Sequence, residues 1–268
     1  MSQPATSAVP SSTSLLNKVA VITGSSAGIG ASIAAHLGAR GAKVVINYPW
    51  PSFKDEAEAV GKTLTTQWIA VEADMSTIDG PGKLISAAVD KFGTIDILVN
   101  NAARVIMCPF AQSTLEQWQT SIDTNARGVF LTTQAALPHL TPREVGGGSR
   151  IVNIISGAAR EPEVNMTVYA ASKAAIDAMT KCWAMELPAK YGCTVNSVAP
   201  GVISTPGARA NIQGIEDIVK PIFEARTPLP GAWGYAEDVA WAVAFAAEDN
   251  SKWLNGACIN VSGGMFRW

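Results

Sequence analysis

The sequence predicts an α/β fold: a doubly wound sheet of seven parallel strands with helices on both faces. Three observations carry that prediction. Short β-branched runs alternate with longer helical stretches along nearly the whole chain. The runs VAVIT, KVVIN, IDILVN and RIVNII are almost wholly apolar, as strands buried on both faces must be. A glycine-rich turn follows the first of them, leading straight into an Ala-rich helix. A repeated strand–helix–strand pattern closes most simply as a parallel sheet with short crossovers.

Taken in order, the strands are expected at 18–23, 43–48, 67–72, 95–100, 150–155, 194–199 and 257–261. Helices are expected between them at 28–40, 54–66, 77–92, 114–137, 166–190 and 236–248. Two stretches stand outside the repeat. Residues 141–149 (TPREVGGGS) read as an exposed loop. Residues 203–232, after the sixth strand, hold enough apolar residues to fold over something and form a candidate substrate lid. Residues 1–17 are rich in Ser, Thr, Pro and Ala and lack the basic start and apolar run of a signal peptide. They read as a disordered leader, which leaves a single domain over 18–268.

Composition narrows the function classes. A chain of 268 residues with 48% hydrophobic and 16% charged residues can bury one sizeable core. A net charge of −2 gives no electrostatic footprint for nucleic acid or an anionic membrane. No apolar run is long enough to span a bilayer. The two His and four Cys are scattered without metal-ligand spacing, so no metal is expected. Unpaired thiols in a chain of this size suit a reducing, cytoplasmic setting.

The turn after the first strand is Thr23-Gly24-Ser25-Ser26-Ala27-Gly28-Ile29-Gly30. Gly24 can turn sharply out of the strand, Gly28 can let a pyrophosphate approach the backbone, and Gly30 can bring the helix close to the sheet. The helix start then offers free N–H groups and a positive dipole end to phosphates. Further along, Tyr169 and Lys173 stand four apart in the helical stretch YAASKAAIDAM, which puts them on one face. A phenol holds its proton at neutral pH, with an ordinary pKa of ~10. A neighbouring ammonium is expected to lower that value and make Tyr169 a usable general acid in reduction and base in oxidation. Ser156 ends the fifth strand and Asn125 lies inside the helix after the fourth.

The motif Thr-Gly-x-x-x-Gly-x-Gly, followed in order by Asn125, Ser156, Tyr169 and Lys173, resembles the short-chain dehydrogenase/reductase family. The resemblance runs from Lys18 to the last residues. It implies a Rossmann fold that moves a hydride between a nicotinamide cofactor and a carbonyl or alcohol. It also implies that Lys173 holds the nicotinamide ribose, that Ser156 donates to the substrate oxygen, and that Asn125 holds a water of a proton relay. Asp74, with Met75 beside it, would face the adenine. Asn100-Asn101-Ala102-Ala103 is similar to the family's Asn-Asn-Ala-Gly beside the adenosine ribose. Pro200-Gly201-Val202 and Thr205 would contact the nicotinamide carboxamide. The family also implies a homotetramer paired through 114–137 and 166–190.

Cofactor choice is read at the end of the second strand, where an acid would bind a ribose 2′-hydroxyl and repel a 2′-phosphate. This chain has Asn47-Tyr48-Pro49 there and no acid before Asp55. Asn47, Tyr48 and Ser25 can donate to a phosphate, although no Arg or Lys stands in the glycine loop or just after the strand. NADP(H) is favoured and NAD(H) stays open. Arg104–Met107, Gly157–Glu161, Asn165, Met166, Trp233 and the lid would line an apolar or aromatic pocket suited to a cyclic or polyketide-like ketone. The strand end and the GGGSRIVNI run are similar to fungal secondary-metabolism ketoreductases. Two other readings remain: a non-redox isomerase or pericyclase on the same fold, and a cofactor-binding regulator.

Overall fold

The computed structural model describes residues 13–146, 148–211, 214, 216–231 and 233–268. The first half alternates β1 (Val19–Ile22), α1 (Gly28–Gly38), β2 (Lys43–Tyr48), α2 (Lys54–Lys62), β3 (Trp68–Glu72), α3 (Gly80–Phe92) and β4 (Ile97–Asn100). Next come α4 (Leu115–Ile122), α5 (Gly128–Ala136), α6 (Arg143–Gly146), β5 (Arg150–Ile154), α7 (Thr167–Glu186), α8 (Pro188–Tyr191) and β6 (Thr194–Pro200). The chain finishes through β7 (Ile203–Ser204), α9 (Pro206–Asn211), α10 (Glu216–Arg226), β8 (Gly234–Tyr235), α11 (Ala236–Ala247) and β9 (Cys258–Val261).

Seven strands form one sheet in the order β3-β2-β1-β4-β5-β6-β9. Every pairing in it is parallel. The strand order reverses between β1 and β4, and a ligand crevice forms at such a switch point. Alternation along β1 explains the two-sided core. Ala20 and Ile22 point into a cluster with α1 and α11, through Ile33, Leu37 and Val243. Val21 points the other way, into a cluster with Leu84, Ala136 and Leu187.

The structure departs from the sequence expectations in five places. The leader does not run free to residue 17. Leu15 is buried in the core, and its N–H donates to the Arg40 carbonyl at 2.9 Å. Residues 1–12 of the expected leader lie outside the described residues. The third helix starts at Gly80 rather than 77, because Asp74 and Thr77 make a separate turn. The helix expected over 114–137 is broken by a π turn at Asp123–Arg127 between α4 and α5. The 166–190 helix breaks ahead of Pro188, which has no N–H to give and crowds the residue before it. The 141–149 stretch is not wholly an exposed loop: it contains α6, and Ser149 is buried with its hydroxyl donating to the Ile95 carbonyl at 3.0 Å. In the 203–232 insert, α9 and α10 lie between two short strands, β7 and β8, that pair in parallel.

Candidate active site

Thr23 ends β1, and its hydroxyl is the joint of the site. The hydroxyl accepts from the N–H groups of Asn101 and Ala102, both at 2.9 Å. The Asn101 amide donates back to the carbonyls of Thr23 and Gly24 at 2.9 and 3.0 Å. The glycine loop and the end of β4 are thereby one unit. Gly24 takes φ +61° in the turn out of the strand. A Cβ on Gly30 would sit 2.3 Å from the Gly24 carbonyl oxygen and 2.6 Å from the Asn101 amide nitrogen, so only glycine fits there.

The start of α1 suits a phosphate. Ala27, at the N-cap, supplies no side-chain cap, and no acidic residue lies in the first turn. The amide N–H groups of Gly28, Ile29 and Gly30 are orphan donors at the positive end of the helix. Ser26 is nearly buried beside them. The turn after β6 closes over this loop: the side chain of Thr205 comes within 3.5 Å of where a Gly28 Cβ would stand. Pro200 ends β6, Gly201 donates to the Val261 carbonyl at 2.8 Å, and Val202 accepts from Gly234 at 2.9 Å. Met75 is buried, and the Thr132 hydroxyl points to its sulfur. These residues fit a dinucleotide.

At the end of β2 the expected donors are already committed. The Asn47 Oδ1 accepts from the Gly24 N–H at 2.8 Å. Its amide donates to the carbonyls of Ala73 at 2.8 Å and of Tyr48 and Val71 at 3.3 Å. The Ser25 hydroxyl donates to the Ile22 carbonyl at 2.7 Å and accepts from the Asn47 N–H at 2.9 Å. Tyr48 packs in the core. These side chains therefore shape the loop rather than reach into the cleft. Asp74 is partly committed as well, since its Oδ1 accepts from the N–H and hydroxyl of Ser76 at 2.9 and 2.8 Å.

The Tyr-Lys pair lies on α7, against the end of β5. Lys173 is buried, and its ammonium donates to the Ile154 carbonyl at 2.7 Å. It lies 6.0 Å from the centre of the Tyr169 ring. The Tyr169 hydroxyl is hydrogen-bonded to Ser156, and the Ser156 hydroxyl also accepts from the Ala158 N–H at 3.2 Å. Burial pushes the Lys173 pKa down to about 7. Burial raises that of Tyr169 above its ordinary value, while the Ser156 hydrogen bond pulls it back in part. The expected lowering of the phenol is thus reversed. Lys173 carries only part of a charge near neutral pH and does not offset the burial.

Asn125 sits fully buried in the π turn. Its Oδ1 accepts from the Arg104 N–H at 2.7 Å, and its amide donates to the Arg104 carbonyl and the Ser172 hydroxyl, both at 2.9 Å. The side chain is therefore occupied in fixing the loop after β4 to α7. π turns of this kind recur at functional sites.

Three features of the site had no clear signal in the sequence. Beneath it, the Asn100 amide donates to Asn153 at 2.8 Å and to Thr133 at 3.0 Å, and the Asn153 amide donates to Thr180 at 2.9 Å. This buried ladder joins β4, β5, α5 and α7. Secondly, the Phe266 ring fills the space a Cβ on Gly157 would take, only 1.9 Å away. The same tail places Trp268 5.3 Å from the Arg160 guanidinium, which grips Asp177 through two bonds at 3.0 and 3.1 Å. Its apolar composition was the only hint. Thirdly, Arg104 stacks on Trp50, with 4.8 Å from the guanidinium to the ring centroid. Of the expected pocket residues, Val105 and Met107 are exposed, and the 203–232 insert is tied to the segment before α7 by an Arg226–Glu163 ion pair at 2.6 Å.

Comparison with known proteins identifies the family. A family model described as enoyl-(acyl carrier protein) reductase matches residues 24–266. A short-chain dehydrogenase/reductase named FrzI from Cladobotryum sp is 40% identical, covering 94% of this chain and 97% of the relative. A 3-oxoacyl-[acyl-carrier-protein] reductase, FabG, from Staphylococcus epidermidis is 35% identical, covering 94% of this chain and all of the relative. The crystal structure of a short-chain dehydrogenase from Burkholderia cenocepacia, in complex with NADP, superposes with a TM-score of 0.84 at 35% identity, over 94% of this chain and 98% of that one. The chain belongs to the short-chain dehydrogenase/reductase family. It is an oxidoreductase of that family, built around one seven-stranded parallel sheet.

Proposed function

We propose that this chain is an NADP(H)-dependent ketone reductase that also runs in reverse on the secondary alcohol. The observation that carries the reading is the Tyr169–Ser156 hydrogen bond with Lys173 packed beside it at the strand end. The nicotinamide, when bound, supplies or accepts the hydride. A substrate oxygen placed between the two hydroxyls takes a hydrogen bond from Ser156 and the proton from Tyr169. The raised pKa keeps Tyr169 protonated through the neutral range, which suits reduction. Lys173, titrating at about 7, refills the phenol and holds the ribose. Asn125 contributes to the relay through its main chain, because its amide is committed elsewhere.

NADP(H) is supported by the lack of an acid at the end of β2 and by the NADP-bound neighbour. A cyclic or polyketide-like substrate is supported by the apolar side chains of Val105, Ile106, Met107 and Met166, all at least partly exposed, and by relatives that include a fungal enzyme and an oxoacyl reductase. The 203–232 insert serves as the lid. Assembly is a homotetramer in the cytoplasm. Trp118 and Phe130 on α4 and α5 are exposed on one side, and Trp241 and Phe245 on α11 stack in the open on another, so two separate faces await partners. Among the described residues no helix is long and apolar enough to cross a membrane.

The test is NADPH consumption with a panel of cyclic ketones and oxoacyl thioesters, on wild type and Tyr169→Phe. Loss of ~10²–10⁴-fold in kcat with NADPH binding retained supports the reading. Turnover without cofactor consumption points to an isomerase. Binding with no turnover anywhere in the panel points to a regulator. A monomer mass by light scattering rejects the tetramer.

A further inference from the structure

The end of β2 poses a problem for an NADP(H) enzyme. A 2′-phosphate there needs positive charge, yet Asn47 and Ser25 are committed and no Arg or Lys follows the strand directly. The fold supplies a cation from elsewhere. Arg104 follows β4 by four residues, and β4 and β2 flank β1 on opposite sides. Its guanidinium nevertheless lies 4.8 Å from the ring of Trp50, two residues beyond the end of β2. Strands in a sheet are spaced ~4.8 Å apart, so this contact spans the end of β1, over the glycine loop.

Two further observations fit an anion ligand. The Arg104 main chain is held at both its N–H and its carbonyl by Asn125, at 2.7 and 2.9 Å, so the side chain starts from a fixed point. Among the described residues no carboxylate pairs with Arg104. The residue also lines a cavity of about 390 Å³ with Ser76, which lies beyond β3, and with the acidic residues Glu116 and Asp123, the latter paired with Arg127 at 2.7 Å. The ends of β2, β3 and β4 thus converge on one exposed guanidinium. A guanidinium that rests its face on a ring keeps its N–H edge for a phosphate, which that edge grips in two-pronged fashion.

We propose that Arg104, braced on Trp50, is the residue that binds the 2′-phosphate of NADP(H) and sets the preference over NAD(H). This rests on the NADP(H) reading above. The charge comes from the loop after β4 and not from the strand end where cofactor choice is ordinarily read.

The experiment is calorimetric binding of NADPH, NADH, 2′,5′-ADP and 5′-AMP to wild type, Arg104→Gln, Arg104→Lys and Trp50→Leu. Each variant is first shown to be folded by its thermal transition. Wild type should bind 2′,5′-ADP more tightly than 5′-AMP. Arg104→Gln should weaken NADPH and 2′,5′-ADP by ~10–100-fold and leave NADH and 5′-AMP within about twofold. Arg104→Lys should recover part of the loss, because it restores charge without the planar fork. Trp50→Leu should produce a smaller loss confined to the same two ligands. An intact 2′-phosphate preference in Arg104→Gln overturns the assignment alone. So does an equal weakening of all four ligands, which would mean a structural role. A wild type with no preference for the 2′-phosphate overturns both this assignment and the NADP(H) reading.

Discussion

Substituting Gly30 by alanine tests the joint between the glycine loop and the end of β4. The added methyl would stand 2.3 Å from the Gly24 carbonyl oxygen, 2.6 Å from the Asn101 amide nitrogen and 2.8 Å from the Ser25 Cα. Two of these atoms are backbone, and the third is held by bonds to two carbonyls. None can step aside alone. Overpacking of this kind costs ~1–3 kcal/mol. Losing the two Asn101 bonds adds ~1–2 kcal/mol. The sum is about 2–5 kcal/mol, or about 4–10 °C in Tm for a chain of this length. Scanning calorimetry of wild type and Gly30→Ala, with and without NADPH, measures both the drop and the cofactor-induced rise. The variant should melt lower and lose most of the NADPH-induced rise, because the same shift displaces the α1 amides. A Tm within a degree of wild type, with the NADPH rise intact, would refute the packing argument.

Other expectations follow from the same geometry. Lys173 is depressed to about 7 in the folded protein, below its unfolded value, so the unfolded chain binds more protons between about pH 7 and 10. Wild-type stability relative to Lys173→Met should therefore be poorest below pH 7 and improve by a few kcal/mol as pH rises, which urea titrations at several pH values can follow; a flat difference would mean the ammonium is solvated. Phe266→Ala removes the ring against Gly157 and should cost ~3–5 kcal/mol, with kcat falling while the NADPH Kd stays within about twofold. Equal loss of kcat and cofactor affinity would show that the tail acts through the whole fold rather than through the Ser156 turn. Leu15→Ala should destabilise by ~2–5 kcal/mol by equilibrium unfolding, since Leu15 is buried; no effect would place the leader off the core.

Much of this architecture was legible because parallel strands buried on both faces read as apolar runs. β2 spans residues 43–48, the range expected from KVVINY, and the other six strands fall within about two residues of theirs. The Tyr169–Lys173 face followed from helical spacing, which is a local property. What depended on distant contacts was not legible. The π turn at Asp123–Arg127 is stabilised where Asn125 reaches Arg104 and Ser172, and its composition looks like ordinary helix. The commitment of Asn47 to Ala73 and Gly24 turned an expected phosphate donor into a brace. The raised Tyr169 pKa came from burial, which residue type alone does not report. Arg104 was visible only as a pocket residue, because its meeting with Trp50 spans two strand spacings.

The ladder of Asn100, Asn153, Thr133 and Thr180 has a consequence for how this protein can change. Each member is buried, and each satisfies another. Replacing one by an apolar residue leaves its neighbour's polar group stranded in the dry interior, at ~1–3 kcal/mol, whereas replacing two facing members together by residues of matching shape can be nearly neutral. A library that explores single substitutions will therefore find these positions closed. The open routes run through coordinated pairs, so the floor of the site is inherited as a block while exposed positions such as Val105 and Met107 remain free to vary one residue at a time.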